Sequence, residues 1–516
     1  MKKYFNIAGP CNPDEHYMIL SESRCKGIQD LIEQKQYFVI HAARQSGKTT
    51  LLLDLARKLN DEGRYHAMYC SLESAQGIID PEKGIPAVFN RLAYEVELID
   101  SQSRYIFSEN TDFSDYTNIM RVGLSRLCSK LKKPMVILFD EADCLSNGTL
   151  ISFLRQLRDG YVNRNRVPFV HSVGLIGMRN IRDYKGKIRE DSETLGSASP
   201  FNIVTKVMTL RDFTKEEVSV LYDQHTEVTG QVFSPEVIDS VYHQTKGQPW
   251  LVNAVVREIV TEILGSDYSN SVTPEHVEQA VETIIQRRDT HIDSLLERLK
   301  EERVRKVVEP VLTGKEIVFD PLVDDFQYVL DLGLLKKDSG QFSPSNPIYA
   351  DVMIRYLGMS ESVDNRKYHL PLYISGQRLD MKKLLTDFQQ FWRDNSEIWQ
   401  ERFLYKEAAP HLILTAFLQR VINSGGRTDR ELATGRKRLD LCIHYQNHRY
   451  PIEIKIRQGP KTYDEGKTQL SDYMDTLGCD KGWLVVFDRR KKQSWKSKLF
   501  WKTGKTDNKE IYIVGC

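Results

Sequence analysis

A short apolar run, Tyr37-Phe38-Val39-Ile40-His41, passes without a break into Ala42-Ala43-Arg44-Gln45-Ser46-Gly47-Lys48-Thr49 and then into Thr50-Leu51-Leu52-Leu53-Asp54-Leu55-Ala56. The order reads as strand, loop, helix. It constrains the fold strongly, because a helix N-terminus offers unpaired N–H groups and a favourable dipole to an anion, and a buried strand holds that terminus in place. Gly47 lets the backbone come close to a phosphate. Lys48 offers its charge to the β- and γ-phosphates, and Thr49 offers a hydroxyl to Mg²⁺. The pattern Gly-x-x-x-x-Gly-Lys-Ser/Thr is broken at its first place, where Ala42 stands, and intact in Gly47-Lys48-Thr49.

A second stretch, Pro134-Met135-Val136-Ile137-Leu138-Phe139-Asp140-Glu141-Ala142-Asp143, is an apolar strand that ends in acids. Parallel α/β sheets bind ligands at the carboxyl edge of their strands, so these carboxylates are expected beside the loop. Asp140 is expected to hold the Mg²⁺ shell, and Glu141 to polarise the attacking water of ATP hydrolysis. Asp-Glu-Ala-Asp does not by itself indicate a helicase.

A chain of 516 residues exceeds one ordinary core, and at roughly 150 residues per domain it suggests about three or four units. Hydrophobic residues at 41% and charged residues at 28% fit a folded soluble protein, and no uncharged apolar run is long enough to span a bilayer. The start, Met1-Lys2-Lys3-Tyr4-Phe5-Asn6-Ile7, soon meets Pro10, Asp14 and Glu15 instead of an apolar signal core, so a cytoplasmic location is expected. Eight scattered cysteines without a CxxC pair read as reduced thiols. Lys plus Arg number 72 against 71 acids, so any nucleic-acid surface must be local. One candidate is 481–505, where nine Lys/Arg face only Asp488 and alternate with Trp483, Trp495 and Trp501. A solvated face with buried tryptophans explains that stretch equally well.

With the loop and acidic strand go a further strand, Phe169-Val170-His171-Ser172-Val173-Gly174-Leu175-Ile176-Gly177, and Lys246-Gly247-Gln248-Pro249-Trp250. Together they resemble the AAA+-related ATPases of archaeal and signal-transduction type over about residues 1–355. The resemblance implies a polar sensor after the third strand, at Arg179 or Asn180. It implies too that Gly247 and Pro249 join a helical lid to the nucleotide site. Arg164 and Arg166 are candidates for arginine fingers acting on a neighbouring copy, with two solvated arginines as the default. ATP-dependent homo-oligomerisation is what such a resemblance implies.

In the middle, Thr273-Pro274-Glu275 reads as a helix start, with Val277, Val281 and Ile284-Ile285 at helical spacing. A helical stretch through Val304 and Val311, then Asp324 to Leu335 and the hairpin-like Lys336-Lys337-Asp338-Ser339-Gly340-Gln341-Phe342, suggests a winged helix. Asp324, Asp325 and Asp331 would repel phosphates, so a protein or inter-domain contact is expected there before DNA reading.

Near the C-terminal end, Arg438-Leu439-Asp440-Leu441-Cys442-Ile443 and Tyr450-Pro451-Ile452-Glu453-Ile454-Lys455-Ile456 read as strands. Alternation puts Glu453 and Lys455 on one face and the three isoleucines on the other. Two carboxylates on neighbouring strands can share a Mg²⁺, and a nearby lysine can orient or help deprotonate an attacking water. An exposed ion pair is the bland alternative. Glu407 opens a helical stretch from Ala408 to Ile422, and Gln469 and Tyr473 fall on one helical face. The order helix, Asp strand, Glu-x-Lys strand, helix, strand resembles the PD-(D/E)xK nuclease superfamily over about 400–490, and Gln469 with Tyr473 resembles its RecB-like branch. The resemblance implies Asp440, Glu453 and Lys455 as catalytic core, Glu407 as a further metal ligand, and Gln469 and Tyr473 as DNA-contacting or site-ordering residues. Leu439 stands where the superfamily's name has proline.

The expected fold is therefore α/β: a P-loop NTPase parallel sheet (1–208), a helical lid (209–270), a winged-helix-like domain (271–358), a connector (359–398) and an α/β restriction-endonuclease-like domain (399–516). The expected cofactors are ATP and Mg²⁺, with Mn²⁺ an option at the second site. DNA is the expected partner, with a protein contact through the winged-helix-like part and no membrane. Such a chain would be an ATP-controlled, metal-dependent DNA nuclease, with defence against foreign DNA as one setting. The alternative is an ATP-driven switch or scaffold whose nuclease-like module only binds nucleic acid or protein.

Overall fold

The computed structural model describes residues 3–99, 101–177, 203–312, 324–338, 341–358, 370–402, 408–422, 427–434, 437–457, 462–488, 490, 493–506 and 509–516. The chain forms two compact units. One comprises Met1–Ile284 with Asp320–Leu335, the other Ile285–Phe319 with Lys336–Cys516.

The first unit is built on five parallel strands, β1 (Tyr37–His41), β2 (His66–Ser71), β3 (Met135–Asp140), β4 (Ser172–Gly177) and β5 (Val204–Thr209), in the order β2-β3-β4-β1-β5. The two strands between β2 and β1, β3 and β4, are buried along their whole length. Their near-continuous apolar sequences follow from helices covering both faces of the sheet. Helices Pro81–Glu97, Ser101–Ser108, Ile119–Lys130 and Asn147–Asn163 cover one face, where Phe89, Phe107, Phe139 and Phe153 fill the core. On the other face, Ile28–Glu33 through Leu31 and Ile32, and Lys48–Asp61 through Leu51, Leu52 and Leu55, pack in one core with Phe38 and Ile40. Each such leucine contributes about 1.5–3 kcal/mol by leaving water, which fixes the phosphate-loop helix against the strand that precedes it.

After β5 come the helices Lys215–Thr229, Pro235–Thr245 and Pro249–Arg257, the last running on into a π-helical turn, Glu258–Ile263. The first begins at a reciprocal cap between Thr214 and Glu217, and the other two carry proline in their first turn. Helix Pro274–Arg287 starts at the Thr-Pro signal. The stretch 271–358 is divided between the units, since Asp320–Leu335 belongs with the first. A two-stranded ribbon, β6 (Leu335–Asp338) and β7 (Gln341–Pro344), follows helix Asp324–Asp331.

The second unit holds a small ribbon, β8 (Ile374–Ser375) with β9 (Arg378–Leu379), and a six-stranded mixed sheet. Its strands are β10 (Arg427–Thr434), β11 (Lys437–Tyr445), β12 (His448–Ile456), β13 (Lys481–Phe487), β14 (Phe500–Thr506) and β15 (Lys509–Gly515), in the order β10-β11-β12-β13-β15-β14. Three of them, β12, β13 and β15, run parallel, and the other pairings are antiparallel. The parallel step from β12 to β13 needs a crossover, which helix Thr462–Leu477 supplies. That helix packs Leu470, Tyr473 and Met474 against Cys442, Leu484, Val486, Ile511 and Ile513. Helix Met381–Arg402 meets Phe487 through Phe388 and Trp392.

Candidate functional site

The loop between β1 and helix Lys48–Asp61 owes its bend to two residues in the left-handed region, Gln45 at φ 58° and Gly47 at φ 88°. Glycine carries this conformation without a steric penalty. The Lys48 ammonium donates to the carbonyls of Ala42 (3.1 Å) and Ala43 (3.2 Å) and so lies within the loop's own curve. Burial pushes its pKa down, against the pull of Glu141, Asp143 and Asp140.

Asp140 ends β3, one strand removed from β1, and is 1% exposed. Its carboxylate is held by three donors: the Thr49 hydroxyl at 2.7 Å and the Tyr69 hydroxyl at 3.2 Å on Oδ2, and the Glu141 N–H at 2.9 Å on Oδ1. Glu141, next in the chain, sits at φ 54°, a strained backbone for a residue with a side chain. Burial raises its pKa, while Lys48 works in the opposite direction. A hydroxyl and a carboxylate 2.7 Å apart form an all-oxygen donor set that suits Mg²⁺. The structure thus brings Lys48, Thr49, Asp140 and Glu141 to one sheet edge. Arg179, Asn180 and the rest of 178–202 lie outside the described residues. Arg164 donates to the Lys35 carbonyl at 2.7 Å and stacks 3.8 Å from the centre of the Tyr161 ring.

Three further elements converge on the loop. The N-terminal segment joins the phosphate-loop helix to the lid: the Cys11 N–H donates to Thr50 Oγ1 (3.0 Å), and the Trp250 indole donates to the Ile7 carbonyl (2.9 Å). From the lid, Gln248 caps its helix by accepting from the Leu251 N–H (2.6 Å), and its amide donates to the Gln45 carbonyl (3.3 Å). The segment Asp324–Leu335 also returns to the loop. Asp331 stands 4.0 Å from His41, and a Cβ placed on Gly333 would lie 2.4 Å from that of Ala43. Tyr69 and Arg24 were invisible to motif reasoning, since neither falls in a spaced signature.

In the second unit, Lys455 Nζ lies 2.6 Å from Glu453 Oε1, and Glu453 is 2% exposed. This pair faces helix Thr462–Leu477, where a Cβ on Gly466 would come within 2.7 Å of Leu484 and 3.3 Å of the Lys455 side chain. The glycine therefore permits the helix to lie close over the pair. Asp440 belongs to β11, one residue before Leu441, whose partner is Ile452. Its side chain and all of Glu407 lie outside the described residues. Gln469 is exposed, whereas Tyr473 is 4% exposed in the core beneath the helix. Just beyond the carboxyl ends of β12 and β13, Asp488 binds Arg457 (3.1 Å) and Arg490 (2.6 Å). Its bonds to Arg490 are the main reason its pKa falls to about 2. Of these two cations only Arg490 belongs to the basic stretch at 481–505, and Arg457 follows β12. Among the described residues no group of three or more His, Cys, Asp or Glu is placed to hold a metal, and no helix is long and apolar enough to cross a membrane.

The AAA-like domain family model matches residues 12–354. A domain of unknown function, DUF8371, matches residues 382–491. No curated protein matches the chain. Among solved structures, a Walker-type ATPase of Pyrococcus abyssi aligns at 14% identity with a TM-score of 0.46, covering 68% of this chain and 99% of that one. The RuvB Holliday junction branch migration motor of Thermotoga maritima aligns at 12% identity and TM-score 0.33, over 61% of this chain and 88% of the other. Cdc6p from Pyrobaculum aerophilum aligns at 12% identity and TM-score 0.33, over 62% and 87%.

Proposed function

This chain belongs to the AAA-like domain family, and from that premise we propose that it hydrolyses ATP at the β1–β3 edge and uses the nucleotide state to control a metal-dependent DNA nuclease in its second unit. The observation that carries the ATPase half is the 2.7 Å bond from Thr49 to Asp140 beside Lys48 and Glu141. In this reading the loop N–H groups and Lys48 bind the phosphates, while Thr49 and Asp140 hold Mg²⁺. The ion, when bound, neutralises charge that builds on the phosphates. Glu141 orients and polarises the attacking water, and Arg179 or Asn180 serves as sensor. Glu141→Gln keeps Asp140 and removes only the polarising charge. Turnover is expected to fall about 10²- to 10⁴-fold with ATP still bound. Normal turnover in that variant would assign the role to another residue.

For the second unit, the pair of buried Glu453 with partly exposed Lys455 under Gly466 supports the nuclease reading. Asp440, Glu453 and Glu407 are the proposed ligands for Mg²⁺ or Mn²⁺, Lys455 the group that orients the water, and Gln469 and Tyr473 the residues that contact DNA or order the site. The alternative is a switch that only binds nucleic acid or a partner protein. Incubating the purified protein with linear, circular and single-stranded DNA, with Mg²⁺ or Mn²⁺ and with or without ATP, separates them. Metal-dependent cleavage that responds to ATP is expected. Retention of DNA without cleavage under every condition would favour the switch.

A further inference from the structure

Behind the phosphate loop lies a charge that no motif accounts for. Arg24, at the end of a short helical turn, is 4% exposed. Among the described residues its hydrogen bonds go to two main-chain carbonyls, Ser46 on the loop (2.6 Å) and Arg211 after β5 (2.9 Å). Its guanidinium lies 4.7 Å from the centre of the Phe213 ring, and a Cβ on Gly47 would approach its Nη1 to 3.2 Å. Taking a cation out of water is expensive, and burial lowers its pKa to about 10 while the carboxylates of Asp212 and Glu217 pull the other way.

The surroundings suggest what the charge does. An anion-binding loop turns its N–H groups toward the anion, so its carbonyls must find donors elsewhere. Gln248 of the lid satisfies Gln45, and Arg24 satisfies Ser46. The Phe213 N–H donates to the Gly247 carbonyl at 2.9 Å, and a Cβ on Gly247 would stand 2.0 Å from the Phe213 carbonyl oxygen. Loop, Arg24, Phe213, Gly247 and Gln248 therefore form a closed ring of contacts that begins and ends on adjacent loop residues.

We propose that Arg24 is a positioning residue of the nucleotide site, a buried cation that fixes the carbonyl of Ser46 and fastens the phosphate loop to the stem of the lid. The proposal rests on the reading of Ala42 to Thr49 as the ATP-binding loop. It implies that loop shape and lid position are set together, and that the positive charge lies close enough to the phosphates to add to their attraction.

The test compares fluorescent-ATP affinity and melting temperature in wild type, Arg24→Ala, Arg24→Lys and Lys48→Ala, each with and without millimolar guanidinium. Arg24→Ala should lose affinity by about tenfold or more, as expected for charge-assisted hydrogen bonds. Guanidinium should restore that affinity while doing nothing for Lys48→Ala. Arg24→Lys keeps the charge but replaces a planar fork that serves the two carbonyls from separate nitrogens with a single flexible ammonium. It should melt like wild type and still bind ATP more weakly, and it decides the matter if the alanine variant does not fold. Wild-type affinity in a folded Arg24 variant, with Lys48→Ala unable to bind, overturns the proposal and leaves the loop assignment standing. Guanidinium that restores melting temperature but not affinity also overturns it. ATP binding by Lys48→Ala would instead remove the reading on which it rests.

Discussion

Replacing Lys48 by alanine is expected to abolish measurable ATP binding. The ammonium now spends its hydrogen bonds on the carbonyls of Ala42 and Ala43, and a bound triphosphate would draw it to the phosphate oxygens. Truncating one partner of a buried charged pair costs about 2–5 kcal/mol, or roughly 30-fold to several thousandfold in affinity. Isothermal titration with ATP and Mg²⁺ checks it directly. Because burial lowers the pKa of Lys48, the native structure already bears a cost to keep a charge there, and the alanine variant should fold. Unchanged affinity would mean that nucleotide, if bound at all, binds elsewhere.

The second large effect is expected from Lys455→Ala, which should reduce metal-dependent DNA cleavage by about 10²- to 10⁴-fold while leaving ATP hydrolysis largely intact. Asp440→Ala should behave alike. The separation is expected because Lys455 pairs with Glu453 inside the second unit, whereas the nucleotide residues all belong to the first. Lys455→Arg is the informative control: it keeps a positive partner for buried Glu453 but changes the donor geometry. Cleavage and ATPase rates measured on the same preparations decide the question. Equal loss of both in a folded variant would argue that the two activities share one site.

Sequence order exposed those features that rest on short-range periodicity. Tyr37–His41 and Met135–Asp140 form strands where apolar runs indicated them, and Glu453 and Lys455 share a face because strand side chains alternate. Gln469 and Tyr473 show where periodicity loses resolution. Positions four apart differ by roughly 40° around a helix, enough at the margin of a buried stripe to leave Gln469 exposed and Tyr473 in the core. Arg24 was illegible for another reason. In Ser21-Glu22-Ser23-Arg24-Cys25-Lys26 it looks like one more surface charge, and its burial depends on Ser46, Arg211 and Phe213, which only the folded chain brings near it. Tyr69 belongs to the same class, since its link to Asp140 crosses from one strand to the next.

The assignment of Asp320–Leu335 to the first unit bears on how the protein is made. Domains generally fold as units as they emerge from the ribosome, but this one cannot be completed in sequence order. Its phosphate loop emerges early, yet Asp331 and Gly333, which lie against His41 and Ala43, are synthesised only after Ile285–Phe319, a segment of the other unit. During synthesis the loop therefore stands without its last neighbour while the chain commits residues to a different core. A fragment ended at residue 284 would keep that nascent condition permanently, with every residue of the phosphate-loop signature present and the surface around His41 and Ala43 open to water.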